Sequence, residues 1–266
     1  IYHKMGQKGT PACHLIFGEK DDCKGWLVGE ANKGLGYMFK MMNEARMGVA
    51  VNAASAASAA YHASLEYANE RPQGRALTNR DVTSPQTHII NHPDVRRMLL
   101  LQKSIVEGSF SLVMEAAKLA DLEKSAEGEE KEQIHMLLEL LTPVLKAYAT
   151  EAGIRSVSNG MQVFGGYGYT VDFPAEQYYR DIRITSLYEG TTGIMGLALL
   201  GRQVPMKNGA SLMIMLQKVN ETIEAAKTYD DLKPYAGVLE EEVNRLQTTT
   251  MHLVGIAGTG EIDRYL

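Results

Sequence analysis

The run LGYMFKMMNEARMGVAVNAASAASAAYHASLEYAN, Leu35 to Asn69, decides the fold. Met38, Met41, Met42, Ala45, Val49, Ala53, Ala56, Ala60, Leu65 and Ala68 recur through it at helical spacing. At 1.5 Å per residue, such a helix is about 50 Å long. Its alanine-rich middle, Val49 to Ala63, suits the close packing of one helix on another. Pro72, Gly74 and the loop to Asn91 end it, and Pro93 is well placed in the first turn of a second helix.

Working outward, the second helix runs to about Ala126 through Val95, Met98, Leu99, Ile105, Phe110, Val113 and Leu119. The polar run Glu123 to Gln133 reads as a solvated helix end and connection. A third helix spans about Glu130 to Val163, kinked or split by Pro143. After the glycine-rich turn Gly165-Gly166-Tyr167-Gly168 come a short helix from about Pro174, a break at Glu189, and a helix to about Arg202. Long antiparallel helices with short connections make an up-down bundle. Residues 206 to 266 add two helical stretches, the first with Met213, Leu216, Val219 and Ile223 on one face.

Upstream of the bundle, residues 1 to about 30 read as strands. Ala12, His14 and Ile16 alternate with Cys13, Leu15 and Phe17, and the turn residues Glu19 to Lys24 lead into Gly25-Trp26-Leu27-Val28-Gly29. Two or three strands cannot bury a face of their own, so they need other structure to lean on. The start, IYHKMG, has neither the basic beginning nor the apolar core of a signal peptide, and the expected location is cytoplasmic. The chain reads as part of something longer.

Composition narrows the function. A hydrophobic content of 45% is ordinary for a globular protein, and no apolar run approaches the roughly 20 residues of a membrane span. A net charge of −5 with no dense basic patch argues against nucleic acid as the main partner. Cys13 and Cys23 belong to no metal-type cluster; a disulfide between them across a hairpin is open, but nothing marks the chain as secreted, so free thiols are expected. His88 and His92 have the spacing of metal ligands but lack a third ligand nearby, so no metal site is expected.

Four polar clusters remain: Asn43 to Arg46, Glu70 to Arg75, Gln162 to Gly168, and Tyr188 to Thr192. Glu189, at a break between helices, can act as a base, although Glu-Gly-Thr-Thr is also ordinary turn chemistry. Arg46 lies between Met47, Val49 and Glu44. It is either buried with an anionic partner or a surface arginine paired with Glu44 or solvent. Gly165 and Gly166 either let a backbone approach a phosphate or simply cap the third helix.

Taken in order, GEANKGLGYMFKMMNEAR, YANERPQGR, NGMQVFGGYGYT, YYRDIRI and LYEGTTGI resemble the C-terminal helical domain of the acyl-CoA dehydrogenase family, over residues 1 to about 204. The resemblance implies a mainly α chain in three parts. Residues 1–33 would end a middle β-domain, 34–204 would be the flavin-binding and catalytic bundle, and 205–266 an appended helical unit. It also implies FAD as cofactor and α,β-desaturation of an acyl-CoA thioester. Glu189 would remove the α-proton, with Arg46 beside it, while a β-hydride passes to the flavin. Tyr188 and Gly190 would flank the substrate, and Thr191 would contact the flavin. Arg71 would reach the flavin diphosphate of a neighbouring subunit. Gln162, Gly165 and Gly166 would hold the adenine end of a partner's FAD. A homodimer or homotetramer and an electron-transfer flavoprotein as acceptor follow from the same resemblance.

There are departures. Gln73, assigned to the cofactor site, stands where the family often has an aromatic residue, and Pro93 stands where a glutamine is common. The N-terminal domain and most of the middle domain have no counterpart in this sequence. The fragment alone is therefore expected to bind FAD weakly and to be inactive. Two other readings stay open: an acyl-CoA oxidase-like enzyme with the same base, and a silent helical scaffold that only oligomerises.

Overall fold

Alanine and glycine set the distances between the helices. In the computed structural model, which describes residues 1–79 and 81–265, the long helices are α1 (Gly34–Glu70), α2 (Pro93–Ser125) and α3 (Gly128–Phe164). Shorter ones follow: α4 (Ala175–Ile182), α5 (Thr192–Ala198), α6 (Ala210–Lys227), α7 (Lys233–Gly258) and α8 (Ile262–Tyr265). Two compact units form. One contains Ile1–Glu115 and Leu145–Thr191; the other contains Ala116–Val144 and the chain from Thr192 onward.

In the first unit, Ala50, Ala53, Ala54, Ala57 and Ala68 of α1 are fully buried. Their small side chains let α3 come close. A Cβ added to Gly153 would lie 3.3 Å from the Ala53 carbonyl oxygen, and one on Gly160 3.4 Å from that of Ala60. These contacts advance together along both helices, so α1 and α3 run parallel. The α2 helix runs the other way: Gln102 meets Gly160 of α3, whereas Gly108 meets Tyr148. Ala53, Ala60, Val157 and Ile182 form one apolar cluster, which joins α4 to the α1–α3 seam. Ala68, Ile89, Met98, Leu99 and Val163 form another at the far end of α1. The mainly helical class read from periodicity stands, and α3 continues as one helix through Pro143.

The strands expected over residues 1–30 do not form. Among the described residues the β-pairing is an isolated antiparallel bridge between Pro72 and His88. Leu15, Ile16, Phe17, Trp26, Leu27 and Val28 are 66% to 88% exposed, so the alternation had no apolar face to settle on. Both ends of this segment touch the helices: the Glu30 N–H donates to the Tyr37 hydroxyl of α1 at 3.3 Å, and the start lies on α4. The Gln7 N–H donates to Asp181 Oδ1 at 2.5 Å and Arg180 donates to the Met5 carbonyl at 3.0 Å, so residues 5–7 lie along α4. Cys13 and Cys23 are free and exposed.

The second unit centres on a helical hairpin, where Leu216 and Ile223 of α6 pack with Ala236 and Val243 of α7. Val219 packs beside them, but Met213, expected on the same face, is 64% exposed. The Tyr265 hydroxyl donates to the Leu200 carbonyl at 2.6 Å, bringing α8 back to the π turn after α5. Among the described residues, no helix is long and apolar enough to cross a membrane.

Candidate active site

The Glu189 loop begins where α4 tightens into a 3-10 turn, Arg183–Ser186. Backbone bonds from Leu187 and Tyr188 to the Ile184 carbonyl, 2.9 and 3.2 Å, close this turn. The chain then enters a left-handed conformation at two consecutive residues, Glu189 (φ 56°) and Gly190 (φ 97°). Gly190 suits such a backbone; a glutamate does not, at a cost of about 1–2 kcal/mol. Something must hold the turn.

Two buried cations reach it. Arg46 of α1, 5% exposed, donates from Nε to the Glu189 carbonyl at 3.3 Å and from Nη1 to Asn43 Oδ1 at 3.4 Å. Arg46 is thus buried rather than on the surface, and these two acceptors are a backbone carbonyl and an amide oxygen. Lys146 of α3, fully buried, donates from Nζ to the Gly190 carbonyl at 2.6 Å. Burial pushes the Lys146 amine below its ordinary value and nearby Arg46 adds to this, while the carboxylates of Glu151 and Glu189 work in the opposite direction.

Position on the helices explains the meeting. Arg46, Ala53 and Ala60 succeed one another seven residues apart on α1, as do Lys146, Gly153 and Gly160 on α3. The two cations thus end the same seam that Ala53–Gly153 and Ala60–Gly160 draw together. Lys146 was absent from the sequence-derived candidates. The available signal was a lone lysine in phase with Ala149 and Gly153, in the stretch after Pro143. The side chains of Tyr188 and Glu189 are half-buried, and that of Thr191 is exposed.

A second site lies at the other end of α1. Arg71 N–H caps α1 on the Tyr67 carbonyl, and the RPQGR stretch pairs with residues 87–89 through Gln73 N–H to Thr87 O (2.9 Å) and Ile89 N–H to Arg71 O (2.9 Å). The His92 ring is hydrogen-bonded to the Gln73 carbonyl at 2.7 Å, which gives this histidine a structural role. Among the described residues no cluster of His, Cys, Asp or Glu could hold a metal ion. The Arg71 guanidinium lies 5.4 Å from the centroid of the Tyr167 ring. Tyr67, Phe164, Phe173 and Tyr167 pack ring to ring behind it. The structure therefore brings Arg71 to the Gly165–Gly166 turn, while Gln73 and Gln162 are exposed beside these stretches.

This end fits an anionic, aromatic-bearing cofactor. Arg71 Nε is buried without a hydrogen-bond partner. Gly165 has φ 60°, and nothing lies within 4 Å of a Cβ built on it or on Gly166, so ligand could approach the backbone closely. The two sites are far apart. Arg71, the residue that caps α1, lies 25 positions after Arg46, about 38 Å at 1.5 Å per residue.

Residues 32–204 match the family model described as acyl-CoA dehydrogenase, C-terminal domain. A butyryl-CoA dehydrogenase of Syntrophomonas wolfei is 36% identical over 234 residues, covering 86% of this chain and 38% of that protein. The broad-specificity linear acyl-CoA dehydrogenase FadE5 of Mycobacterium tuberculosis is 34% identical over 259 residues, covering 96% of this chain and 42% of that protein. Among solved structures, Caenorhabditis elegans ACDH-11 in complex with C11-CoA superposes with a TM-score of 0.75 at 26% identity, covering 88% of this chain and 37% of that one. The chain thus spans about two fifths of the length of these relatives. By the match over residues 32–204, the chain belongs to the acyl-CoA dehydrogenase family.

Proposed function

We propose that this chain is the part of an FAD-dependent acyl-CoA dehydrogenase that carries its base, Glu189, and that the full-length protein desaturates an acyl-CoA thioester between its α and β carbons. The observation that carries this reading is the buried Arg46 of α1 bonded to the backbone of Glu189, 143 residues away in sequence. Bound FAD would supply the acceptor for the β-hydride, which no side chain here can provide. Glu189 takes the α-proton, a contribution of about 10²–10⁴-fold for a well-positioned base. Tyr188 and Gly190 flank the acyl chain and thioester, and Thr191 contacts the cofactor beside the base.

Arg71, Gln73, Gln162, Gly165 and Gly166 would hold the diphosphate and adenine of FAD, a reading supported by the orphaned Arg71 guanidinium nitrogen and the open backbone at Gly165 and Gly166. Their separation from Glu189 along α1 supports a homodimer or homotetramer in which these residues serve a partner's cofactor. Residues 1–33, with their exposed apolar side chains, belong to a preceding β-domain in this reading, and residues 205–266 to an appended helical unit. An electron-transfer flavoprotein as acceptor and a cytoplasmic location belong to the same proposal. Residues 1–266 alone bind FAD weakly and do not turn over.

The test uses the full-length protein. Anaerobic addition of a saturated acyl-CoA bleaches the flavin absorbance of the wild type, and Glu189→Gln abolishes the bleaching while FAD stays bound. Bleaching by Glu189→Gln at the wild-type rate would remove Glu189 from the chemistry.

A further inference from the structure

We infer that Lys146 is a positioning residue for the Glu189 base: with Arg46 it clamps the successive carbonyls of Glu189 and Gly190 and so fixes the left-handed turn from which the carboxylate projects. This rests on the reading of Glu189 as the base, and extends it to a residue on a different helix.

Three observations support the clamp. First, Lys146 is fully buried in the middle of α3, where an unpaired ammonium is disfavoured, and its Nζ is spent on a carbonyl of the loop at 2.6 Å. Second, the turn it holds is one that a side-chain-bearing residue rarely adopts: φ is 56° at Glu189 and 97° at Gly190. Such a backbone persists where its surroundings determine it, and here a cation from each of two helices bonds to one of the two residues. Third, both helices are held in register by the Ala53–Gly153 and Ala60–Gly160 contacts one and two heptads further along. Rigid helices thus supply both halves of the clamp, so the loop inherits their precision.

A merely structural lysine and a positioning lysine differ in what their loss does to the rate per correctly loaded active site. In the full-length protein, Lys146→Met keeps the aliphatic stem and removes the donor. Anaerobic stopped-flow mixing with a saturated acyl-CoA then gives the flavin-reduction rate per bound flavin and its saturation by substrate. The expected result is a limiting rate lower by about 10²-fold, as for a misplacement of about 1 Å, with half-saturation changed by less than about threefold. Lys146→Gln, which keeps a neutral donor, recovers part of the loss. A wild-type limiting rate per flavin in Lys146→Met overturns the inference. Glu189→Gln in the same assay separates the two proposals. If it still reduces the flavin, the base assignment fails; if it is inert while Lys146→Met is unimpaired, only the clamp fails. Should Lys146→Met not fold, Gly190→Ala perturbs the same turn from the loop side. Its expected loss is about tenfold or more in limiting rate, and a wild-type rate would overturn the inference.

Discussion

Gly160→Ala examines whether the α1–α3 seam is as tight as the cation clamp requires. The new Cβ would lie 2.8 Å from Ser64 Oγ, 3.1 Å from Gln102 Oε1 and 3.4 Å from the Ala60 carbonyl oxygen. None of these can retreat freely. Ser64 Oγ is bonded to the Ala60 carbonyl at 2.5 Å, Gln102 is fully buried, and Ala60 O is backbone. Swinging Ser64 away forfeits a hydrogen bond of about 0.5–1.5 kcal/mol, and parting the helices instead costs the about 1–3 kcal/mol typical of overpacking. Against this, alanine gains about 0.8–1.0 kcal/mol over glycine in a helix interior. Gly48 of α1 supplies the control, because it is exposed and nothing lies within 4 Å of a Cβ built there. Gly48→Ala takes the propensity gain without the clash, so the difference between the variants isolates packing, at about 2 kcal/mol. Hydrogen exchange of α1 and α3 amides reads this locally, which avoids assuming two-state unfolding in a chain of two units. If Gly160→Ala protects these amides as well as Gly48→Ala does, the seam is not close-packed and the reasoning fails.

Other consequences concern charge and cofactor. Because burial lowers the Lys146 amine from 10.5, with Arg46 adding to the effect and Glu151 and Glu189 opposing it, the folded state binds fewer protons than the unfolded state in the alkaline window below 10.5. Stability from this group therefore rises with pH there, and Lys146→Met flattens the slope in denaturant titrations run across the alkaline range up to pH 10.5; an unchanged slope would show that the amine titrates normally. Arg71→Met should weaken FAD binding to the full-length apoprotein by about 10- to 10²-fold, the loss of a charged hydrogen bond of about 1.5–3 kcal/mol, measured by flavin fluorescence titration. Equal affinity would take Arg71 out of the cofactor site.

Much of the helical architecture was legible because each long helix writes its period in Ala, Leu, Met and Val, and Pro72, Gly74 and Pro93 punctuate it. The end of α1 and the start of α2 fall where those residues place them. Residues 1–30 misled because alternation records only a local preference; strands also need neighbours, and none pairs with this segment among the described residues. At the candidate site, Arg46 and Glu189 were legible as odd charges, one in an apolar helix and one at a break. Their junction is tertiary and no spacing announces it. Lys146 escaped because a single lysine in a helix ordinarily faces water; only the packing of α3 against α1 shows that this one faces inward. Arg71 and the Gly165–Gly166 turn were separate clusters in sequence, joined through Tyr167 by the fold.

Exchange at the α-carbon isolates the step assigned to Glu189 from hydride transfer. In D₂O, the full-length protein is given an acyl-CoA analogue whose β-carbon is replaced by sulfur, so that a proton can leave the α-carbon but no β-hydride can follow. Uptake of deuterium at the α-carbon is then followed by mass spectrometry. With Glu189 as the base, the wild type exchanges the α-proton and Glu189→Gln slows that exchange by about 10²–10⁴-fold with FAD still bound. Exchange at the same rate in both proteins would place the base elsewhere.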